Sequence, residues 1–368
     1  MKRNKSAFLV IFITGLLISS CTVTRVIIYN FAGVTDHRKF PKRDVRSGPE
    51  KFVFQPPVNN APPAGFTFPG TEGTFGQYLE AHKTVAFLII RNDRIEYEKY
   101  FGSYDRESVI PSFSIAKSIT SILIGCAIDD GLIGSVNDRV IKYVPELAAN
   151  GFENVTVEHL LQMTSGIGFN EGYGNPFGDI STFYYGRNLR KAISKLKIVD
   201  EVGKKFEYQS GSAQVLGLVL ERALKDETIS HYLQDKIWVP LGMEFDASWS
   251  IDRRRNGLEK TFCCINVRAR DLAKIGRLYL GNGDWNGKQI VSKGWVRQST
   301  KVDTTNGSAS NYQYQWWLPS SNGDFLAEGI LGQLLYVNPS KNLIVVRLGS
   351  GDGGVDWKDF VQRLSVIY

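Results

Sequence analysis

Apolar residues are spaced in two different ways along the chain. Near the start and the end they form short runs of β-type; in the middle they recur at helical intervals. The β-branched and aromatic run Thr84–Ile90 and the alternating run Arg94–Tyr100 flank Asn92-Asp93, which predicts a hairpin turning at that pair. Phe325–Ala327, Gln333–Val337 and Leu343–Leu348 read as three further strands. Asn338–Asn342 turns the last two, and Trp357–Leu364 suits a closing helix.

Between these regions Ile115–Asp129, Val157–Met163, Ala213–Leu224, Ile229–Trp238 and Val267–Leu280 show helical periodicity. Asn266 and Gly281 bracket the last of them as expected cap and stop. Strands at both ends with helices between them predict an α/β (α+β) domain. Its antiparallel sheet is closed by the two ends of the chain, flanked by helices, and carries a mainly helical insert.

The first residues read as an address. A basic start precedes the apolar stretch Ala7–Ile18, which is short for a spanning helix, and small residues precede Cys21. The run Leu17–Cys21 resembles a bacterial lipobox, which implies cleavage after Ser20 and a lipid on Cys21. An uncleaved anchor is the alternative, and both readings export the domain to the cell envelope. Thr22 is not the Asp that often retains lipoproteins in the inner membrane, so in a Gram-negative cell the expectation is the outer membrane or its periplasmic side. Thr22–Gly70, rich in Pro, Asn, Arg and Lys, is expected to be an irregular tether. The expected organisation is therefore 1–20 signal, 21–70 tether and 71–368 domain.

Charge and cysteine content narrow the partners. Without Lys2, Arg3 and Lys5, which precede the apolar stretch, the formal charge falls from +7 to +4. The densest cationic cluster, Arg253-Arg254-Arg255, is short and follows Asp252, so it reads as a solvated loop and no nucleic-acid partner is expected. Beyond Cys21 the cysteines are Cys126, Cys263 and Cys264, an odd number, and a bridge between the vicinal pair would be strained. No disulfide framework is expected. No Cys-x-x-Cys or His-x-x-x-His spacing supports a metal site either.

The candidate chemistry starts at Ser114, which follows Pro111, opens an apolar helix and has Lys117 one helical turn on. A serine hydroxyl needs its proton removed before it attacks, and a lysine serves as base only where its surroundings favour the neutral amine. A second Ser-x-x-Lys, Ser194 to Lys197, lies in a polar stretch and lacks this context. Tyr208 and Ser210 stand on a loop just before the helix Ala213–Leu224, where a tyrosine can share proton transfer with a lysine. His159 is expected to make a structural hydrogen bond. Asp179, Tyr184 and Tyr185, in a Gly-, Asn- and aromatic-rich loop, are candidates for lining a pocket.

Four passages, taken in order and spacing, resemble the serine β-lactamase and penicillin-binding protein superfamily. They are Ser114–Lys117, Thr156–Ile167, Tyr208–Ser210 with its helix, and Ala327–Gln333. The resemblance covers about Thr74 to Tyr368 and points to the branch that holds class C β-lactamases, D,D-peptidases, esterases and 6-aminohexanoate-oligomer hydrolases. It implies Ser114 as acylated nucleophile, Lys117 as base, Tyr208 as proton shuttle and Ser210 as the polar group that orients the lysine or the substrate. It also implies an oxyanion hole from the N–H groups of Ser114 and Ile330, with Gly329 beside them, and no cofactor. Ala327-Glu328-Gly329 stands where β-lactamases and peptidases carry Lys-Thr-Gly, so a small amide or ester is the expected substrate. The alternatives are a penicillin-recognising peptidase or β-lactamase, and a non-catalytic surface lipoprotein that uses the fold for binding. Oligomeric state is left open.

Overall fold

The computed structural model describes residues 22–29, 31–66 and 73–368. The expected signal Met1–Ser20 and lipid site Cys21 lie outside the described residues. Among the described residues, no helix is long and apolar enough to cross a membrane.

Strands form at Lys42–Val45 (β1), Thr84–Arg91 (β2), Arg94–Tyr100 (β3), Ile110–Pro111 (β4), Ala247–Ser250 (β5) and Ile265–Val267 (β6). A small hairpin, Asp284–Trp285 (β7) with Lys288–Gln289 (β8), follows. Tyr312–Gln313 (β9), Trp316–Trp317 (β10), Phe325–Gly329 (β11), Gln333–Asn338 (β12) and Leu343–Gly349 (β13) complete the set. The main sheet is antiparallel, in the order β3-β2-β13-β12-β11-β10-β9, so both ends of the domain build it as expected. The hairpin turns at Asn92-Asp93, where both residues have positive φ.

Burial on both faces explains why β2 is an unbroken apolar run. Its Phe87 and Ile89 face an outer core with the helices Phe75–Ala81 and Trp357–Val366, whereas Leu88 and Ile90 face the main core. A register shift between Ile89 and Ile90 turns Ile95 of β3 towards the main core and Tyr97 towards the outer one. Strand β3 lies at the sheet edge, and Glu96, Glu98 and Lys99 supply the charge that discourages pairing with another chain. On the main-core side lies the helix Ile115–Asp129, with residues 115–127 buried. A helix buried on all sides must be enclosed by other elements, here by the sheet and the helix Ser210–Leu224.

Three expectations are corrected. The stretch 21–70 is not an irregular tether throughout: β1 pairs with β5 in a second sheet, ordered β1-β5-β6-β4, and Phe40, Val45 and Phe54 are buried in the main core. Isolated apolar residues in a polar stretch gave no periodic signal, yet these three have seats in the domain. Val267 belongs to β6 rather than to the following helix, which starts at Ala269, and the Asn266 amide bonds Ser248 Oγ instead of capping. Finally, the vicinal pair Cys263–Cys264 is joined as a disulfide. The left-handed bend at Cys264, φ +74°, accompanies this pairing of neighbours.

Candidate active site

Strand β4 delivers the nucleophile. The Ser112 N–H donates to Ile265 O of β6 at 2.7 Å, and the chain then turns through Phe113 at φ +46° into Ser114 and its helix. A bulky residue in the left-handed region carries backbone strain of about 1 to 3 kcal/mol, and such residues concentrate at functional sites. Burial of the Phe113 ring in the main core offsets it.

One turn along, Lys117 is 1 % exposed and its Nζ is surrounded by three oxygens. Ser114 Oγ is 2.9 Å away, Phe262 O 3.0 Å and Ser210 Oγ 3.3 Å. Ser210 is the first residue of its helix, and both its N–H and its hydroxyl donate to the Glu171 carboxylate, each at 2.7 Å. Tyr173 donates to the same carboxylate at 2.9 Å. Glu171 was not legible as a site residue, because an acidic residue in a Gly- and Asn-rich loop normally faces water.

Tyr208 joins the cluster from the loop before Ser210. Its ring centroid lies 4.9 Å from Lys117 Nζ, and it stacks on Trp317 of β10 at 5.3 Å and meets Tyr312 edge-on at 5.8 Å. The loop is pinned by the passage before it. Glu207 N–H donates to Met163 O, Gly203 N–H to Thr164 O, and the Ser165 and Ser212 hydroxyls bond each other at 2.9 Å. Gly166 is at φ +70°, and a Cβ there would come within 2.4 Å of Asp200 O. Thr156–Ile167 thus fixes where Tyr208 and Ser210 stand. His159 does what was expected of it, closing a capping box with Thr156.

Strand β11 meets the nucleophile at Gly329. A Cβ on that residue would lie 2.6 Å from Ser112 O and 3.1 Å from Ser114 N, so glycine is required by the close approach and not by its φ of −138°. Ile330 follows at once and borders the same cleft as Ser114. The turn after it is held by Arg347, which donates to Leu331 O (3.1 Å), Gly332 O (2.6 Å), His82 O (2.8 Å) and Gly351 O (2.9 Å). Gly329→Ala is expected to push β11 away from Ser114 and lower kcat by about 10²-fold, the scale of one lost oxyanion donor. Steady-state kinetics on any cleaved ester checks this, and an unchanged kcat would show the close approach to be dispensable.

Ser114 sits between two contrasting recesses. One, of about 300 Å³, is apolar, with Phe31, Phe113, Tyr184, Tyr185, Phe262 and Ile330 in its wall. Asp179, Tyr184 and Tyr185 lie on a helix, Asp179–Tyr185, rather than in a loop as expected. Tyr184 and Tyr185 line the recess, whereas Asp179 accepts from the Asn170 N–H at 2.9 Å and orders the segment before the helix. The other recess is polar and carries Tyr208, Trp317, Glu328, Asp352, Asp356 and Lys358. Burial raises the Glu328 carboxyl pKa, and Lys358, 2.8 Å away, opposes the rise. The one His-carboxylate group among the described residues whose ligand atoms cluster, Glu227, His231 and Asp235, lies apart on a largely exposed stretch.

Comparison with known proteins bears on the fold and the family. The chain is 29 % identical over 299 residues to the 6-aminohexanoate-dimer hydrolase of Paenarthrobacter ureafaciens, covering 74 % of each. The fold superposes on a putative 6-aminohexanoate-dimer hydrolase from Bacillus anthracis with TM-score 0.77 at 23 % identity, covering 89 % of both chains. It matches a family VIII carboxylesterase with TM-score 0.61 at 17 % identity, over 79 % of this chain and 94 % of that one. The fold is thus that of the serine-hydrolase-type β-lactamases. The family model for beta-lactamase matches residues 72–362, most of the chain, and the protein belongs to that family.

Proposed function

We propose that the protein is an exported serine hydrolase that cleaves a small, largely apolar amide or ester through an acyl-enzyme on Ser114. The observation that carries this reading is the direction of the hydrogen bonds around Lys117. A carboxylate only accepts, so the Ser210 hydroxyl spends its hydrogen on Glu171 and must accept from the lysine. The Phe262 carbonyl can only accept as well. A neutral Lys117 amine that satisfies both has its lone pair left for the Ser114 hydroxyl.

In the proposed reaction Lys117 takes the Ser114 proton as Oγ bonds to the substrate carbonyl carbon. The N–H groups of Ser114 and Ile330 stabilise the oxyanion. On collapse the carbonyl bond to the leaving group breaks, and that group receives a proton relayed through Tyr208. Water, deprotonated by the same groups, then hydrolyses the acyl-serine and returns the proton to Ser114.

The recesses support the substrate class. The apolar one suits a hydrocarbon portion. In the polar one Glu328, Asp352 and Asp356 outnumber Lys358, which disfavours a substrate carboxylate. The relatives' names, an amide hydrolase and a carboxylesterase, support both bond types. The lipobox-like run at Cys21 supports attachment to a membrane of the cell envelope.

A panel of p-nitrophenyl esters, anilides and β-lactams assayed with wild-type protein tests the substrate class. Neutral aliphatic acyl groups are expected to give the highest kcat/KM. Stoichiometric acylation by a fluorescent penicillin at low concentration, with no ester turnover, would move the assignment to a penicillin-recognising enzyme.

A further inference from the structure

We infer that the cavity between the helix Thr22–Tyr29 and the loop 253–255 is a binding site for a phosphate-bearing anion. Its walls carry Arg25, Arg38, Lys39, Arg187 and the run Arg253-Arg254-Arg255, and it encloses about 690 Å³, room for a phosphate with a substituent. The single carboxylate in the wall, Asp252, is buried and already accepts the N–H groups of Leu189 (2.8 Å) and Leu258 (2.9 Å). Lys39 is paired with Asp36 at 2.7 Å, but Arg187, Arg254 and Arg255 have no partner among the described residues.

Arg25 makes this more than a charged surface. It is 8 % exposed, its guanidinium lies over the Tyr29 ring (5.3 Å) and the Phe40 ring (5.9 Å), and its Nη1 is buried with no hydrogen-bond partner. A buried unpaired donor on a cation is costly, and an anion in the cavity would satisfy it. Behind Phe40 the fully buried Lys260 has its pKa pushed well down, by burial first and by the Arg25 charge next, with Asp252 and Asp36 opposing the shift. Planar guanidinium groups converging from four segments match tetrahedral phosphate oxygens, which accept paired N–H donors.

The site is separate from the Ser114 cleft and does not depend on the proposed reaction. Two sources would supply the same chemistry, a phospholipid headgroup or a soluble phosphate ester. Arg25 lies four residues after the expected lipid site Cys21, which favours the headgroup.

Flotation of the full chain with phosphatidylcholine vesicles, with and without phosphatidylglycerol, and calorimetric titration with inorganic phosphate separate the sources. The variants are Arg25→Met and the exposed pair Arg254→Gln/Arg255→Gln, which leaves the core untouched. Any lipid anchor contributes equally to each comparison. The expected result is preferential binding to the anionic vesicles, weakened by salt and reduced about 25-fold in the double variant, at about five-fold per cation removed. Saturable phosphate binding lost in the variants, with no vesicle preference, would assign the site to a soluble anion. No phosphate binding and no vesicle preference, or binding unchanged in both variants, would overturn the inference.

Discussion

Replacing Ser114 with alanine is expected to lower turnover of every cleaved substrate by at least about 10⁴-fold, the scale on which serine hydrolases lose their nucleophile. It should also abolish covalent labelling by a phosphonate serine probe. The fold gives this variant an unusually clean readout. Although Ser114 precedes the first residue of its helix, its side chain makes no capping hydrogen bond, so alanine removes no structural contact of that kind. The lost hydrogen bond to Lys117 is expected to cost about 0.5 to 1.5 kcal/mol, so the variant stays folded. Loss of activity in a folded protein assigns the hydroxyl to chemistry, and retained activity would remove it from the mechanism.

The second large effect is expected from Lys117→Met, which preserves an unbranched buried chain while deleting the base. General-base contributions of about 10²- to 10⁴-fold set the expected loss in kcat, with KM changed little because the amine points at the nucleophile rather than into either recess. Lys117→Arg should not rescue it. A planar fork cannot direct one lone pair at Ser114, and the site is closed by Phe262 O and Ser210 Oγ at 3.0 and 3.3 Å. The Phe262 carbonyl left without its donor costs about 1 to 3 kcal/mol of stability, so the assay belongs well below the melting temperature. Wild-type kcat in a folded Lys117→Met protein would show that another group takes the proton.

Much of this was legible because the two relevant patterns are strong. Ile115–Asp129 is buried through thirteen consecutive positions, mostly apolar, and its bounds follow from the sequence alone. The β2-β3 turn is equally clear, since Asn92 and Asp93 tolerate the left-handed backbone the hairpin needs. Ser114, Tyr208 and Ser210 stood out because each opens or precedes a buried helix, Lys117 because it lies one turn after Ser114, and the structure gathers the other three around its amine. What stayed hidden depends on contacts distant along the chain. Glu171 matters only because its loop folds back over the start of the Ser210 helix. Arg347 reads as a stray charge in an apolar strand until the carbonyls of residues 82, 331, 332 and 351 are seen around it. Lys42–Val45 alternates too weakly to announce a strand, and its pairing with Ala247–Ser250 spans some two hundred residues.

Peptide mass spectrometry of the protein quenched during ester turnover tests the acyl-enzyme most directly. The account predicts an acyl mass increment on the peptide that contains Ser114, formed faster than product is released and absent in Ser114→Ala. Rapid turnover with that peptide unmodified, or an adduct on any other residue, would contradict it.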